Sequence, residues 1–187
     1  MHETFPSCGL SGRLRVLTGS FVVLAAFSFC LLFPAEAQGK ERLFRGLVVG
    51  VSDGDTIKVM RDGAPQTVRL NFIDCPEKKQ DFGQVARSCT ATLCFKRTVL
   101  VKESGRDRYN RSLAEVVLPD RRVLNLELVK RGYAWWYEQY APKAVEYKLA
   151  QAKARDGRKG LWQQSRPLPP WQFRKEARQG SVRLAQR

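Results

Sequence analysis

Residues 44–77 read FRGLVVGVSDGDTIKVMRDGAPQTVRLNFIDCPE. Residues 44–52 are apolar and β-branched, the composition of a strand. Asp53 and Gly54 interrupt them as a turn, and residues 55–60 alternate as a second strand does. Arg61-Asp62-Gly63-Ala64 carries the Asp-Gly signal of a tight hairpin, with residues 66–73 as the return strand. Pro76 has no amide to donate and ends the pairing. A hairpin folds residue 55 back toward residue 70. Two acidic groups, Asp53 with Asp55 and Asp74 with Glu77, therefore meet in space although a whole hairpin of chain separates them.

Working outward, residues 80–95 place Phe82, Val85, Ala86, Cys89 and Leu93 near a 3.6-residue period and predict a helix. Residues 97–103 and 111–118 are two further strands, joined by the basic polar loop SGRDRYN at 104–110. Residues 123–131 form a short helix closed by Gly132, and residues 142–158 a longer one ended by Gly160. Three strands, a helix, two strands and two helices suit an α+β fold that is mainly β: a five-stranded OB-type barrel with about three helices. There is no Gly-rich phosphate loop, no internal repeat and no strand-helix-strand series.

Both ends lie outside that pattern. Arg13 and Arg15 precede an apolar run at 16–33, and Ala35-Glu36-Ala37 follows it with the small-x-small spacing of a cleavage site. Residues 1–37 thus read as a signal peptide, with an uncleaved membrane anchor as the rival. Residues 38–163 are the folded domain, and the Pro- and Arg-rich segment 164–187 reads as a solvated tail.

Composition then narrows the chemistry. The chain has 187 residues, 43% hydrophobic and 10% aromatic, which excludes a disordered or collagen-like protein. With 33 basic against 18 acidic side chains the net charge is +15. The leader carries two of each sign, so the whole excess belongs to the remainder. It suits a polyanionic partner, whether nucleic acid, anionic membrane or acidic glycan, and also a plain soluble basic domain. The single histidine is His2, within the leader. A histidine base, a histidine metal ligand and a Ser-His or Cys-His pair are excluded from the domain. Cys75, Cys89 and Cys94 permit at most one disulfide, and Cys89 and Cys94 point to different faces of their predicted helix, so they are not expected to bridge. Zinc is poorly served, and any metal should be a hard cation held by oxygens.

Carboxylates crowded together in a basic protein repel one another, a cost tolerable if a divalent cation lies between them. Arg69, flanked by Val68 and Leu70, is close enough to Asp74 in the chain to reach a phosphate held at that cation. Arg111 follows a loop with Arg106, Arg108 and Tyr109, where guanidinium groups beside a ring can hold a phosphate and stack a base.

DGDT (53–56), VRLNFIDCPE (68–77), DRYNR (107–111) and LVKRGYA (128–134) together resemble the staphylococcal nuclease (thermonuclease) family in order and spacing, over roughly residues 43–162. The family's OB barrel with three helices agrees with the pattern above. The resemblance implies Asp55 and Asp74 as calcium-ligating carboxylates and Cys75 as the donor of a backbone carbonyl. It implies Glu77 as the group that orients or deprotonates the attacking water, and Arg69 and Arg111 as the pair gripping the phosphate. Asp53 falls in the outer shell, and Arg108, Tyr109 and Tyr140 lie on the substrate. Asn110 stands where a Gly is common, and Glu138 where an aromatic ring is found, with Trp135, Trp136 and Tyr137 beside it.

The expectation is an exported, calcium-dependent endonuclease that hydrolyses DNA and RNA with little sequence preference and leaves 3′-phosphates. It is expected to be a monomer with no stable protein partner and no membrane contact beyond the leader. The rival is a non-catalytic OB-fold nucleic-acid-binding module. A third reading gives the basic charge a role in adhesion to the cell envelope.

Overall fold

The structure, a computed structural model, describes residues 42–185. The predicted signal peptide at 1–37 lies outside the described residues. Five strands close into a barrel in the order β1-β2-β3-β6-β5. They are β1 (Arg42–Asp53), β2 (Thr56–Arg61), β3 (Ala64–Leu70), β5 (Thr98–Arg106) and β6 (Ser112–Val117). The Asp62-Gly63 turn joins β2 to β3 with both residues at positive φ, 49° and 80°, the backbone that such a two-residue hairpin requires. All neighbours are antiparallel except β3 and β6, which run parallel and pair Arg69 with Leu113.

The barrel is filled by alternate residues of its own strands. Ile57 and Val59 of β2 are fully buried while Lys58 between them faces out, and Val48, Val68, Leu70, Val99, Val101 and Val116 complete the interior. Each such side chain contributes about 1.5–3 kcal/mol by leaving water. Helix α1 (Gly83–Cys94) packs Ala86, Thr90, Leu93 and Cys94 inward and lies against β1. Thr90 Oγ1 donates to the carbonyl of Gly54 at 2.5 Å and so ties the helix to the β1–β2 turn. Helices α2 (Leu124–Lys130) and α3 (Val145–Asp156) pack on one another. Gly132 follows α2 at φ 73°, and its own carbonyl accepts the amide of Leu161 at 2.8 Å. A Cβ there would lie 2.1 Å from the carbonyl oxygen of Lys159, so only glycine fits.

Two expectations are corrected. The return strand does not run on to residue 73. It stops at Leu70, Phe72 takes a left-handed backbone (φ 69°), and Ile73–Asp74 form β4, which pairs with β7 (Trp135–Trp136) outside the barrel. Alternation alone conceals this break, because Phe72 and Ile73 carry strand-like side chains on a chain that has turned.

The segment 164–187 is not a solvated tail throughout. Residues Pro170–Ala185 form a fourth helix, α4, beginning at a proline, the residue best suited to a first helical position. Its Trp171 stacks on Tyr137 with centroids 5.2 Å apart and planes 2° apart, and meets Trp135 edge-on at 5.6 Å. The segment before it is tied down by the Gln80 side-chain amide, which donates to the carbonyl of Leu168 at 2.6 Å, and by that of Gln164, which donates to Asp81 at 3.0 Å. Cys75, Cys89 and Cys94 are free thiols.

Candidate active site

The DGDT turn and the consecutive strands β3 and β4 build the site together. Gly54 is required there by proximity, since a Cβ would lie 2.7 Å from the Cys75 Cβ and 2.9 Å from its Sγ. That close approach lets the Cys75 amide donate to Asp55 Oδ2 at 2.8 Å, while Thr56 Oγ1 donates to Asp55 Oδ1 at 3.1 Å. The Asp55 carbonyl in turn accepts the Leu70 amide at 2.8 Å. Asp55 is thereby held across the hairpin from Arg69 and buried.

Arg69 is the central cation. Its Nη2 lies 2.8 Å from Asp74 Oδ1 and 3.1 Å from Asp55 Oδ2, and its Nη1 donates to the carbonyls of Leu70 and Ile73 at 2.9 and 3.0 Å. The side chain is 15% exposed, so Arg69 is largely enclosed among its partners and does not extend into solvent as a strand arginine ordinarily does. Burial works against its charge, but Asp55 and Asp74 outweigh burial and raise its pKa. Asp74 is 1% exposed, and burial raises its pKa against the opposing pull of Arg174 and Arg69. The Cys75 thiol, fully enclosed, is pushed well above its ordinary range by burial and is inert as a nucleophile.

A residue that the sequence pattern did not reveal completes the cluster. Arg174 of α4 reaches Asp74 Oδ2 with Nη2 at 2.7 Å, and Glu77 Oε1 with Nη1 at 2.7 Å. A longer contact of 3.3 Å joins Nη1 to Asp74 Oδ1. Both Asp74 oxygens are therefore engaged by guanidinium groups. Glu77, itself 39% exposed, is held by Arg174. About a hundred residues of chain separate the partners, and nothing local to Arg174 distinguishes it from the other arginines of the segment.

The other expected residues stand apart from these contacts. Asp53, at the end of β1, faces Lys78 at 3.6 Å. Arg111 precedes β6, and its Nε donates to Asp107 Oδ2 at 2.7 Å. Asp107 Oδ1 also accepts the amides of Tyr109 and Arg111, each at 2.9 Å, which shapes the loop. Although burial pushes the other way, those donors hold the Asp107 pKa below the usual carboxylate range. Asn110 has φ 60°, the left-handed backbone that a glycine commonly supplies. Arg108 and Arg111 lie over the Tyr109 ring at 4.8 and 5.4 Å. Tyr140 is exposed and packs edge-on against Tyr137 at 4.7 Å. Trp135 and Trp136 are buried. A cavity of about 420 Å³ opens among Trp135, Trp136, Tyr137, Gln151 and Trp171.

Among the described residues no three His, Cys, Asp or Glu side chains close on one point as a finished metal cage. The donor set nonetheless suits a hard divalent cation in kind. Asp55 and Asp74 offer oxygens to a single Arg69 nitrogen, and a positive guanidinium already stands between Asp74 and Glu77.

Comparison with known proteins agrees with this geometry. The family described as Staphylococcal nuclease homologue matches residues 67–164, just over half of the chain. A protein named "Uncharacterized endonuclease" from Escherichia coli O157:H7 is 43% identical over 129 residues, covering 69% of this chain and 84% of its own length. A "Micrococcal nuclease" from Shigella flexneri is 36% identical over 83% of this chain and 92% of its own. An "Uncharacterized endonuclease" from Haemophilus influenzae is 41% identical over 69% and 72%. With that coverage at both levels, the chain belongs to the staphylococcal nuclease family and is a nuclease of the hydrolase class.

Proposed function

We propose that this nuclease is a calcium-dependent endonuclease, cutting DNA and RNA with little sequence preference and leaving 3′-phosphates. The observation that carries the reading is the convergence of Asp55, Asp74 and Glu77 on guanidinium groups in a protein of net charge +15. A pure binding module gains nothing by presenting carboxylates to a polyanion, since like charges cost binding energy.

Asp55, Asp74 and the Cys75 carbonyl would hold the ion. When bound, the ion supplies Lewis-acid stabilisation of charge on the phosphate oxygens. Glu77 takes the proton of the water whose oxygen attacks phosphorus. The phosphorus–O5′ bond breaks, and the leaving oxygen takes its proton from solvent. An arginine, with a pKa above about 12, is a poor donor for that step. Arg69 and Arg111 therefore act as fixed positive charge, which is worth most where the phosphate's own charge grows. Arg108 and Tyr109 give the neighbouring nucleotide a cation and a ring face. Export from the cell, with residues 1–37 removed, belongs to the same proposal and is checked by mass and fractionation of the expressed protein.

The test is plasmid nicking with calcium and then with a chelator. Cleavage should need the ion, and Glu77→Gln should lose about 100- to 1000-fold in kcat, the typical loss for one transition-state contact. Nucleic-acid binding with no cleavage under any metal condition would refute the proposal and leave the binding module.

A further inference from the structure

Resting on the calcium-dependent reading above, we infer that α4 is an autoinhibitory latch. The Arg174 guanidinium pairs with Asp74, a proposed ligand of the ion, and with Glu77, the proposed base, and must withdraw before the ion and the attacking water can be accommodated.

Three features of the site lead there. Arg174 takes both the carboxylate expected to ligate the ion and the carboxylate expected to accept the water's proton, each at 2.7 Å. A guanidinium spreads one positive charge over a planar fork, which matches two carboxylates and answers their repulsion where no ion is present. With Arg69 on one side and Arg174 on the other, both oxygens of Asp74 carry a guanidinium contact, and Arg174 spans the side that Asp74 shares with Glu77.

The helix is also held in a way that permits release. Its anchor is Trp171, stacked on Tyr137 and edge-on to Trp135, at the start of the helix. Beyond Arg174 the side chains from Lys175 to Gln179 are exposed. The segment between η1 (Gly160–Gln163) and α4 holds two prolines, Pro167 and Pro169, and is fastened by two glutamine side-chain bonds. The ring contacts of Trp171 and the ion pairs of Arg174 are two separate holds on the helix, and the ion competes directly for the second.

The competition has a measurable size. An ion that binds only the open form sees its affinity divided by the open fraction, so a latch closed nine-tenths of the time weakens binding about tenfold. In calorimetric titration of the full-length chain with calcium chloride alone, Arg174→Ala should bind about tenfold more tightly than the parent. Trp171→Ala, which removes the anchor and leaves every carboxylate contact chemically intact, should shift affinity the same way. It keeps the test decisive if the first variant folds poorly. Arg178→Ala, which removes the same charge from an exposed position on α4, should bind as the parent does. Calcium should also speed amide exchange across residues 170–179 in the parent.

Equal or weaker calcium binding by both Arg174→Ala and Trp171→Ala would overturn the latch, as would an exchange pattern unchanged by saturating calcium. If neither parent nor variants bind calcium, the metal assignment itself falls and the latch falls with it. Parent and variants that bind and cut alike overturn the latch alone.

Discussion

Asp107 shows how much of the site depends on groups that touch no substrate. Its two oxygens accept two amides and the Arg111 Nε, so one carboxylate fixes both the loop and the direction of the guanidinium proposed to grip the phosphate. Its pKa is lowered in the fold, so its stabilising effect is complete above the unfolded value near 3.9 and fades as pH falls through the lower folded value. Asp107→Asn should therefore lose stability at neutral pH and show a flatter acid limb below about pH 4 in chemical denaturation. It should also lower kcat/KM by about tenfold, the cost of about 1.4 kcal/mol for one poorly held charge. An unchanged acid limb would assign the loop's order to its backbone alone. Arg69 calls for a stricter geometry. A lysine keeps the charge but cannot serve Asp55, Asp74 and two carbonyls together. Arg69→Lys should lose at least about 100-fold in turnover, read from initial nicking rates.

The elements differ in how openly the sequence declares them. The β2–β3 hairpin is legible because Asp62-Gly63 and strict alternation agree, and α1 because its apolar residues recur at helical spacing. The end of β3 is not legible, since the turn at Phe72 is made by a residue whose side chain favours strands. Helix α4 is hidden for the opposite reason: its arginines and glutamines read as solvent-loving, and one Pro170-Trp171 pair carries the signal of a docked start. Asp55, Asp74 and Glu77 are found from hairpin geometry, whereas Arg174 is found only once α4 is folded against them. Within β5, Glu103 is a buried carboxylate that pattern alone would place on the surface. It is 3% exposed, accepts Ser112 Oγ at 2.8 Å and Arg61 Nη1 at 3.2 Å, and so crosslinks three barrel strands. Glu103→Ala should cost about 2 kcal/mol in urea unfolding by leaving Ser112 without its acceptor, while nicking at low temperature stays near normal.

On the scale of the whole molecule, charge is distributed by task. The acidic groups at the site are held by arginines at close range, while the sequence as a whole carries a net charge of +15, which suits the nucleic-acid substrate of a nuclease. Such a field speeds encounter and supplies affinity that is indifferent to base sequence. Each phosphate neutralised on a single strand adds about 0.7 to the slope of log affinity against log salt. Arg108, exposed and seated over the Tyr109 ring, is placed to make one such contact. In a Glu77→Gln background, where cutting is expected to be about 100- to 1000-fold slower, Arg108→Ala should weaken binding of single-stranded oligonucleotides of different sequence by the same factor. It should also reduce the salt slope by about 0.7, measured by fluorescence anisotropy across a sodium chloride series. A loss that depends on base identity, with the slope unchanged, would mean that the loop reads bases through Tyr109 and that the field of the remaining basic residues alone carries the backbone.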